Sequence, residues 1–441
     1  MPGFHVTTLG CKLNQFDSAE LSGALRAAGM AAADPGSALL LVVNTCTVTA
    51  EADADARQLL RRRRRENPAA LVVATGCYAE RDPEALRRLP EVDLVITRHE
   101  RPRASALIIE RLRRRFPVEL GDGCADRALE ETLPDFGDRT RAFLRVQEGC
   151  DLRCTYCVIP RVRGASRSLP PDDVERRFRM LLDAGYREIV LTGVNTGDYG
   201  KDLDPRLDLA SLVRRLARLP GSFRVRLNSV EPRCVTADLI DLMASEEKIA
   251  RHLQVPLQSG SDEILRAMRR NYRSADYLRT AEALLCKLPD LGLGADVIVG
   301  FPGETDEQAE RTAEIARRIP LSYMHVFSYS VRPGTPAGDL GGRLPPAVVK
   351  SRSRRLRSIG RQLSEDFKRS QVGRPLGALV LQGRTPDGRA RALTTNFIEV
   401  ALEGRVEENT LLDVVITGLG APGMPAPARP LFSPGFVAAT W

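Results

Sequence analysis

In the first third of the chain, short apolar runs alternate with stretches of helical character. "HVTTLG" (5–10), "ALLLVVNTC" (38–46) and "ALVVATGC" (70–77) are bounded, β-rich runs with helical segments between them, which predicts βαβ units around a small parallel sheet. Each run ends in or beside a cysteine: Cys11, Cys46 and Cys77. Sites in open α/β sheets form beyond the carboxyl ends of the strands, so these distant thiols sit where they could converge.

The segment "LGDGCADRALEETLPDFGDRTRA" (120–142), rich in Gly, Asp and Pro, reads as a linker. Behind it six apolar runs recur with helices between them: "AFLRVQ" (142–147), "EIVLTGV" (188–194), "FRVRLNSV" (223–230), "HLQVPL" (252–257), "GADVIVG" (294–300) and "YMHVFSYS" (323–330). A parallel crossover needs a helix and places it outside, so this pattern predicts a partial (β/α)6 barrel with its site at the strand C-termini. Cys150, Asn195, Glu231, Gln258 and Glu304 fall there. A cation-rich stretch (350–370) follows. After it "PLGALVLQG", "RALTTNFIEVAL" and "LLDVVITGLG", separated by turn residues, predict a small β-barrel. The expected fold class is α/β, divided into 1–125 (α/β domain with a small parallel sheet), 138–370 (partial barrel ending in a basic helical segment) and 371–441 (all-β barrel).

The length of 441 residues fits two or three domains at ~100–200 residues each. No run approaches the ~20 apolar residues that span a bilayer, and "MPGFHVTTLGCK" lacks a secretory pattern. The expectation is a cytoplasmic protein with no membrane partner. In that reducing setting the nine cysteines are expected to be free, catalytic or metal-bound. A net charge of +8 is compatible with a polyanionic partner. Arg61–Arg65 and 350–370 read equally as solvated helix faces or as phosphate contacts. Charges within 371–441 nearly balance, which favours 350–370 for phosphate.

"QEGCDLRCTYCVIPRVRGASRS" holds Cys150, Cys154 and Cys157 with no fourth cysteine nearby. Structural zinc takes four protein ligands and catalytic zinc keeps one position open. Iron–sulfur clusters usually take four thiolates, so three leave one iron open to a substrate or cofactor. The C-x₃-C-x₂-C spacing, with Tyr156 before the last cysteine and a barrel strand before the first, resembles the radical S-adenosylmethionine (SAM) signature. Three cysteines there hold a [4Fe–4S] cluster whose fourth iron is chelated by SAM. "TLGCKLNQFDS" (8–18), "VNTCTVT" (43–49), "TGCYAE" (75–80), "LTGVNTGDYG" (191–200), "HLQVPLQSGSDEILRAMRRNY" (252–272), "DVIVGFPGET" (296–305) and "HVFSYSVRPGTPA" (325–337) resemble the radical SAM methylthiotransferases over nearly the whole chain.

That resemblance implies a second, auxiliary [4Fe–4S] cluster on Cys11, Cys46 and Cys77, and a C-terminal TRAM barrel that binds tRNA. "TLGCKLNQ" and "NTCTVT" are most similar to the branch that modifies N6-threonylcarbamoyladenosine at tRNA position 37. Rival readings are isopentenyladenosine tRNA or a ribosomal-protein aspartate as substrate, and a zinc-containing RNA-binding protein without redox chemistry. The resemblance further implies a flavodoxin- or ferredoxin-like electron donor, and a monomer is expected. Methylthiolating C2 of adenine needs an aromatic C–H bond activated, which general acid–base chemistry cannot do and radical cofactor chemistry can. Expected SAM contacts are Tyr156, Thr192, Gly193, Asn195, Ser229, Glu231, Gln258 and Gly300. Arg161 and Arg163 read as carboxylate or phosphate contacts or as a solvated loop. His252 and His325 read as core or pocket histidines, Phe397 beside Asn396 as barrel core rather than a base-stacking ring, and Cys124, Cys234 and Cys286 as structural or incidental.

Overall fold

The computed structural model describes residues 1–120, 132–137, 139–421 and 423–431. Cys124 and the expected limits at 125, 138 and 441 lie outside them. The N-terminal unit is a five-stranded parallel sheet in the order Ala31–Ala32, Gly3–Thr8, Leu40–Thr45, Leu71–Gly76, Leu94–Val95. Alternate residues explain its continuous apolar runs. Leu40, Val42, Leu71 and Val73 pack against helices Lys12–Ala27 and Ala104–Arg115, whereas Leu41, Val43, Val72 and Ala74 pack against Ala50–Glu66. The two short edge strands carry too few residues to show a period.

Six parallel strands then form two sheets of three: Arg141–Arg145, Glu188–Thr192 and Arg224–Leu227; His252–Gln254, Gly292–Val299 and Tyr323–Ser328. Isolated bridges Val225 to Ile249 and Ser229 to Gln254 join them into the expected open barrel. Its lumen is polar. Glu188 and Thr192 lie on one face of their strand and meet Arg226 and Asn228, two residues apart on the next.

The C-terminal unit is a closed five-stranded barrel, ordered Pro375–Arg384, Ala390–Thr394, Glu399–Leu402, Ala426–Pro430, Leu411–Ile416. The run expected as one strand over 391–402 is two, separated by a turn in which Phe397 has φ 72°. That turn corrects the expectation for Phe397. Its ring leaves the barrel core, stacks on His252 at 4.4 Å between centroids and lies 5.2 Å from the Arg226 guanidinium. The barrel is held to the central unit by buried charge. Arg224 and Arg226 bind Glu188 at 2.6 and 2.8 Å and donate to the carbonyls of Leu393, Thr394 and Thr395 across the junction.

Burial opposes ionisation of Glu188, but the adjacent Arg226 and Arg224 hold it well below the usual carboxylate range. Glu188→Gln leaves Arg141, Arg224 and Arg226 without their shared anion, and breaking a buried pair costs about 3–5 kcal/mol. Urea unfolding at neutral pH is expected to show that loss. A depressed carboxylate stabilises above its unfolded pKa of about 4.3 and loses that contribution as pH falls through the lower folded value, so the variant's acid unfolding limb should be shallower than wild type's.

Candidate functional site

The sheet order puts strands Gly3–Thr8, Leu40–Thr45 and Leu71–Gly76 side by side, with Thr8 opposite Asn44 and Asn44 opposite Thr75. Cys11, Cys46 and Cys77 therefore leave one sheet edge on neighbouring loops. The loops are tight. Gly10 has φ +97°, and a Cβ there would lie 2.9 Å from Cys46 Sγ; Gly76 has φ +94°, and its Cβ would lie 2.2 Å from Asn44 Oδ1.

Asn14, fully buried, ties the three loops together. Its Nδ2 donates to Leu9 O (2.8 Å) and Thr45 O (3.0 Å), while its Oδ1 accepts from Cys77 Sγ at 3.7 Å. Burial pushes the Cys46 thiol up to about 11 and raises Cys77; the neighbouring thiols add to both shifts, and the Arg163 guanidinium opposes the second. Cys11 is exposed.

Cys150, Cys154 and Cys157 form the second trio, on the loop after the first barrel strand. The loop closes through Cys150 N–H to Gly164 O (3.0 Å) and Cys157 N–H to Cys154 O (3.1 Å). Burial, with the other thiols adding, lifts Cys150 to about 11 and Cys157 to about 12. Arg270 donates to Cys154 Sγ at 3.2 Å and ion-pairs with Glu231. Among the described residues no three His, Cys, Asp or Glu side chains form a preformed cluster around one point. A four-iron cluster bonds each thiolate to a different iron, and three thiolates on a loop with polar neighbours suit that donor set.

Arg163 bridges the trios. Six residues after Cys157, it is buried and donates to Cys77 Sγ (3.3 Å), Asn14 Oδ1 (2.6 Å) and Glu148 Oε1 (2.8 Å), and pairs with Asp17 (2.9 Å). Val158 and Val162, flanking it on the same loop and helix, pack on Cys77. The alternative of a solvated loop thus fails for Arg163. Arg161 is exposed and donates to Gly334 O.

The expected SAM contacts have these surroundings. Thr192 is buried and accepts a 3.4 Å bond from Asn228. At Gly193 the close neighbour is Gln147, whose Oε1 would lie 2.8 Å from an added Cβ and accepts from Asn195 N–H at 2.9 Å. Asn195 Oδ1 and Gln258 Oε1 are buried without a partner, and Gln258 has φ 60°. Ser229 accepts from Thr196 through its carbonyl, and Tyr156 packs beside Ile264, Met268, Ile298 and Phe301. Gly300 faces Val349 of the basic helix and donates to Glu304, which pairs with Arg352. Cys234 donates to Asp198 at 3.5 Å, and Cys286 is exposed.

Sequence reasoning did not single out Asn14, Gln147, Arg270 or Lys12. Lys12 follows Cys11 and donates to Asn228 Oδ1 at 2.8 Å; burial and the nearby Arg141 and Arg226 pull its ammonium below the usual range. Each stands inside or beside a quoted motif, the signal that could have found them. His252 is buried against Tyr323 (2.9 Å), and His325 is exposed beside Asp296 (3.0 Å).

The two basic runs differ. Arg61–Arg64 pair with Glu91, Glu66 and Asp93 in the N-terminal unit. Helix Pro346–Ser370 instead lays Lys350, Arg354, Arg357 and Arg361 along a groove of about 600 Å³ beside Ser328 and Tyr329.

Residues 144–316 match the Radical SAM superfamily, the class that the open six-strand barrel and three-cysteine loop describe, and residues 3–97 match Uncharacterized protein family UPF0004. The threonylcarbamoyladenosine tRNA methylthiotransferase MtaB of Aquifex aeolicus is 38% identical over 93% of this chain and 98% of its own. The tRNA-2-methylthio-N(6)-dimethylallyladenosine synthase of a Parafrankia strain is 36% identical over 94% of this chain and 83% of its own. Among solved structures, the radical SAM methyltransferase TsrM of Kitasatospora setae shares the fold, with a TM-score of 0.56 at 16% identity over 77% of this chain and 75% of that one. The chain belongs to the radical SAM methylthiotransferase family. That membership implies SAM and two [4Fe–4S] clusters as cofactors. Among the described residues no helix is long and apolar enough to cross a membrane.

A thiol near pKa 11 carries a thiolate fraction a few hundred-fold below that of a free cysteine with pKa about 8.5 at pH 8. In cluster-free protein, Cys46, Cys150 and Cys157 should therefore alkylate slowly at pH 8 and faster as pH rises toward 11. Exposed Cys286 is the internal control, and peptide mass spectrometry gives the order.

Proposed function

We propose that this enzyme adds a methylthio group to C2 of N6-threonylcarbamoyladenosine at position 37 of tRNA. The observation that carries the reading is the pair of cysteine trios held on facing loops by Arg163. Cys150, Cys154 and Cys157 hold the cluster that SAM completes, and Cys11, Cys46 and Cys77 hold the auxiliary one. When bound, these groups supply the radical chemistry and the sulfur that no side chain here can provide.

The chain's own residues bind, orient and shield. Arg163 and Arg270 each donate a hydrogen bond to one cysteine sulfur, of Cys77 and Cys154, and Arg163 opposes the rise that burial gives Cys77. Asn195 Oδ1 and Gln258 Oε1 are unpaired acceptors at barrel strand ends, suited to the amino or hydroxyl donors of SAM. Thr192, Gly193, Ser229, Glu231, Gly300 and Tyr156 complete that mouth. Lys350, Arg354 and Arg361 present exposed cations for the tRNA backbone along the helix that leads into the TRAM barrel. The reading includes the three units 1–125, 138–370 and 371–441, a monomer in the cytoplasm, and a one-electron donor protein of the flavodoxin or ferredoxin kind. Support for the substrate comes from the sequence motifs and from the MtaB name of relatives such as that of Aquifex aeolicus.

Anaerobically reconstituted protein is expected to hold about eight iron with matching sulfide, falling to about four in the Cys150/Cys154/Cys157→Ala variant. Zinc without sulfide overturns the cluster reading. Nucleoside mass spectrometry of tRNA after reaction with SAM and reductant should show the 2-methylthio derivative of threonylcarbamoyladenosine; conversion of isopentenyladenosine instead would assign the other branch.

A further inference from the structure

The barrel lumen holds more positive charge than its own carboxylates balance. On its inner faces Arg141, Arg224 and Arg226 gather on Glu188. One layer further toward the strand C-termini, Asp296 accepts from Gln254 (2.7 Å to each oxygen) and from His325 (3.0 Å), so its oxygens are engaged. Lys12 enters this layer from the N-terminal unit. Among the described residues its ammonium makes one hydrogen bond, to the amide oxygen of Asn228 at 2.8 Å, and no ion pair. Asn228 in turn donates to Thr192, at the strand end beside the three-cysteine loop.

An ammonium withdrawn from water with only a neutral amide for a partner is a costly arrangement unless an anion joins it. Asp296 acts on the ammonium electrostatically but spends its oxygens on Gln254 and His325, and no carboxylate among the described residues forms an ion pair with Lys12. The site is not sealed either: Lys12, Asn228, Gln254 and Asp296 are half-buried and His325 is exposed, so a ligand group can enter. Lys12 is also bonded in sequence to Cys11, which places its side chain between one cysteine loop and the barrel mouth.

We propose that Lys12 reads the carboxylate of the N6-threonylcarbamoyl group and so selects the substrate. This rests on the substrate reading above and deepens it. The threonylcarbamoyl group ends in a carboxylate, an isopentenyl group is apolar, and unmodified adenine carries neither, so one cation without an ion-pair partner in the lumen distinguishes the first from the other two. Asn228 holds the ammonium in place through its amide oxygen. Arg226, two residues before Asn228 on the same face, adds to the positive field without competing for the ligand, because its guanidinium is bound to Glu188 and the C-terminal barrel. RNA phosphate is the other anion that could meet Lys12, and it is common to every tRNA.

The test uses reconstituted holoenzyme and anticodon stem-loops identical except at position 37: threonylcarbamoyladenosine, its threonine methyl ester, and adenosine. A charge-assisted hydrogen bond to the carboxylate should make wild type bind the first about 10- to 100-fold more tightly than the ester. K12Q is expected to lose that preference while binding the ester and adenosine loops as wild type does, and K12R is expected to retain most of it. Iron and sulfide content of K12Q should match wild type. Preference that persists in K12Q overturns the proposal, as does equal weakening for all three RNAs, which marks a phosphate contact. Loss of about half the iron from K12Q also overturns it, since Lys12 would then serve the Cys11 loop. Wild type that binds the acid no better than the ester overturns the substrate reading together with this one.

Discussion

The buried charge between the N-terminal unit and the barrel is the constraint from which the site's geometry follows. Asp17 and Glu20, on the inner face of the first helix, meet Arg101, Arg145, Arg163 and Arg177, with Glu148 closing the network at Arg101 and Arg163. Charges removed from water are tolerated only when well paired, and removing one partner strands the rest. The two units therefore cannot slide or part without exposing or orphaning several ions at once. Because Arg163 belongs to the loop of Cys150, Cys154 and Cys157 and touches Cys77, the network that joins the units also sets one cysteine trio against the other.

A second tie acts at the opposite side. Arg332, beyond the last barrel strand, is buried and binds Asp53 at 2.6 Å and Thr47 at 2.9 Å, and Arg81 binds the same pair. Thr47 directly follows Cys46, so the middle cysteine loop is held from the barrel as well as from its own sheet. Rigid positioning of this kind is what a reactive, oxygen-sensitive centre requires, since the protein's contribution is orientation and exclusion.

The C-terminal barrel does two things that its balanced charge conceals. Its carbonyls take hydrogen bonds from Arg224 and Arg226, and its Phe397 covers His252 and Tyr323 at the strand N-terminal end of the open barrel. It thereby closes the end of the lumen remote from the cysteines. Helix Pro346–Ser370 runs along the last barrel strand into this unit; Arg352, Arg355 and Arg369 on it pair with nearby carboxylates, whereas Lys350, Arg354, Arg357 and Arg361 line a groove.

Much of the architecture was legible because its signals are local. Alternation along Leu40–Thr45 and the six β/α repeats depend on the period of neighbouring residues, and the glycines beside Cys11 and Cys77 mark tight turns wherever they occur. The spacing of Cys150, Cys154 and Cys157 likewise carries its chemistry within eight residues. What only the tertiary structure decided are pairings across long separations: Arg163 with Cys77, Lys12 with Asn228, Arg332 with Asp53, and Phe397 with His252. The turn that carries Phe397 out of the barrel broke a run whose composition reads as one strand. Sequence alone specified most of the longer strands, the spacing of the cysteines and, through the family resemblance, the kind of cofactor. It left open which charges meet, because an arginine's partner is chosen by packing and desolvation after the units dock, and neither has a period along the chain.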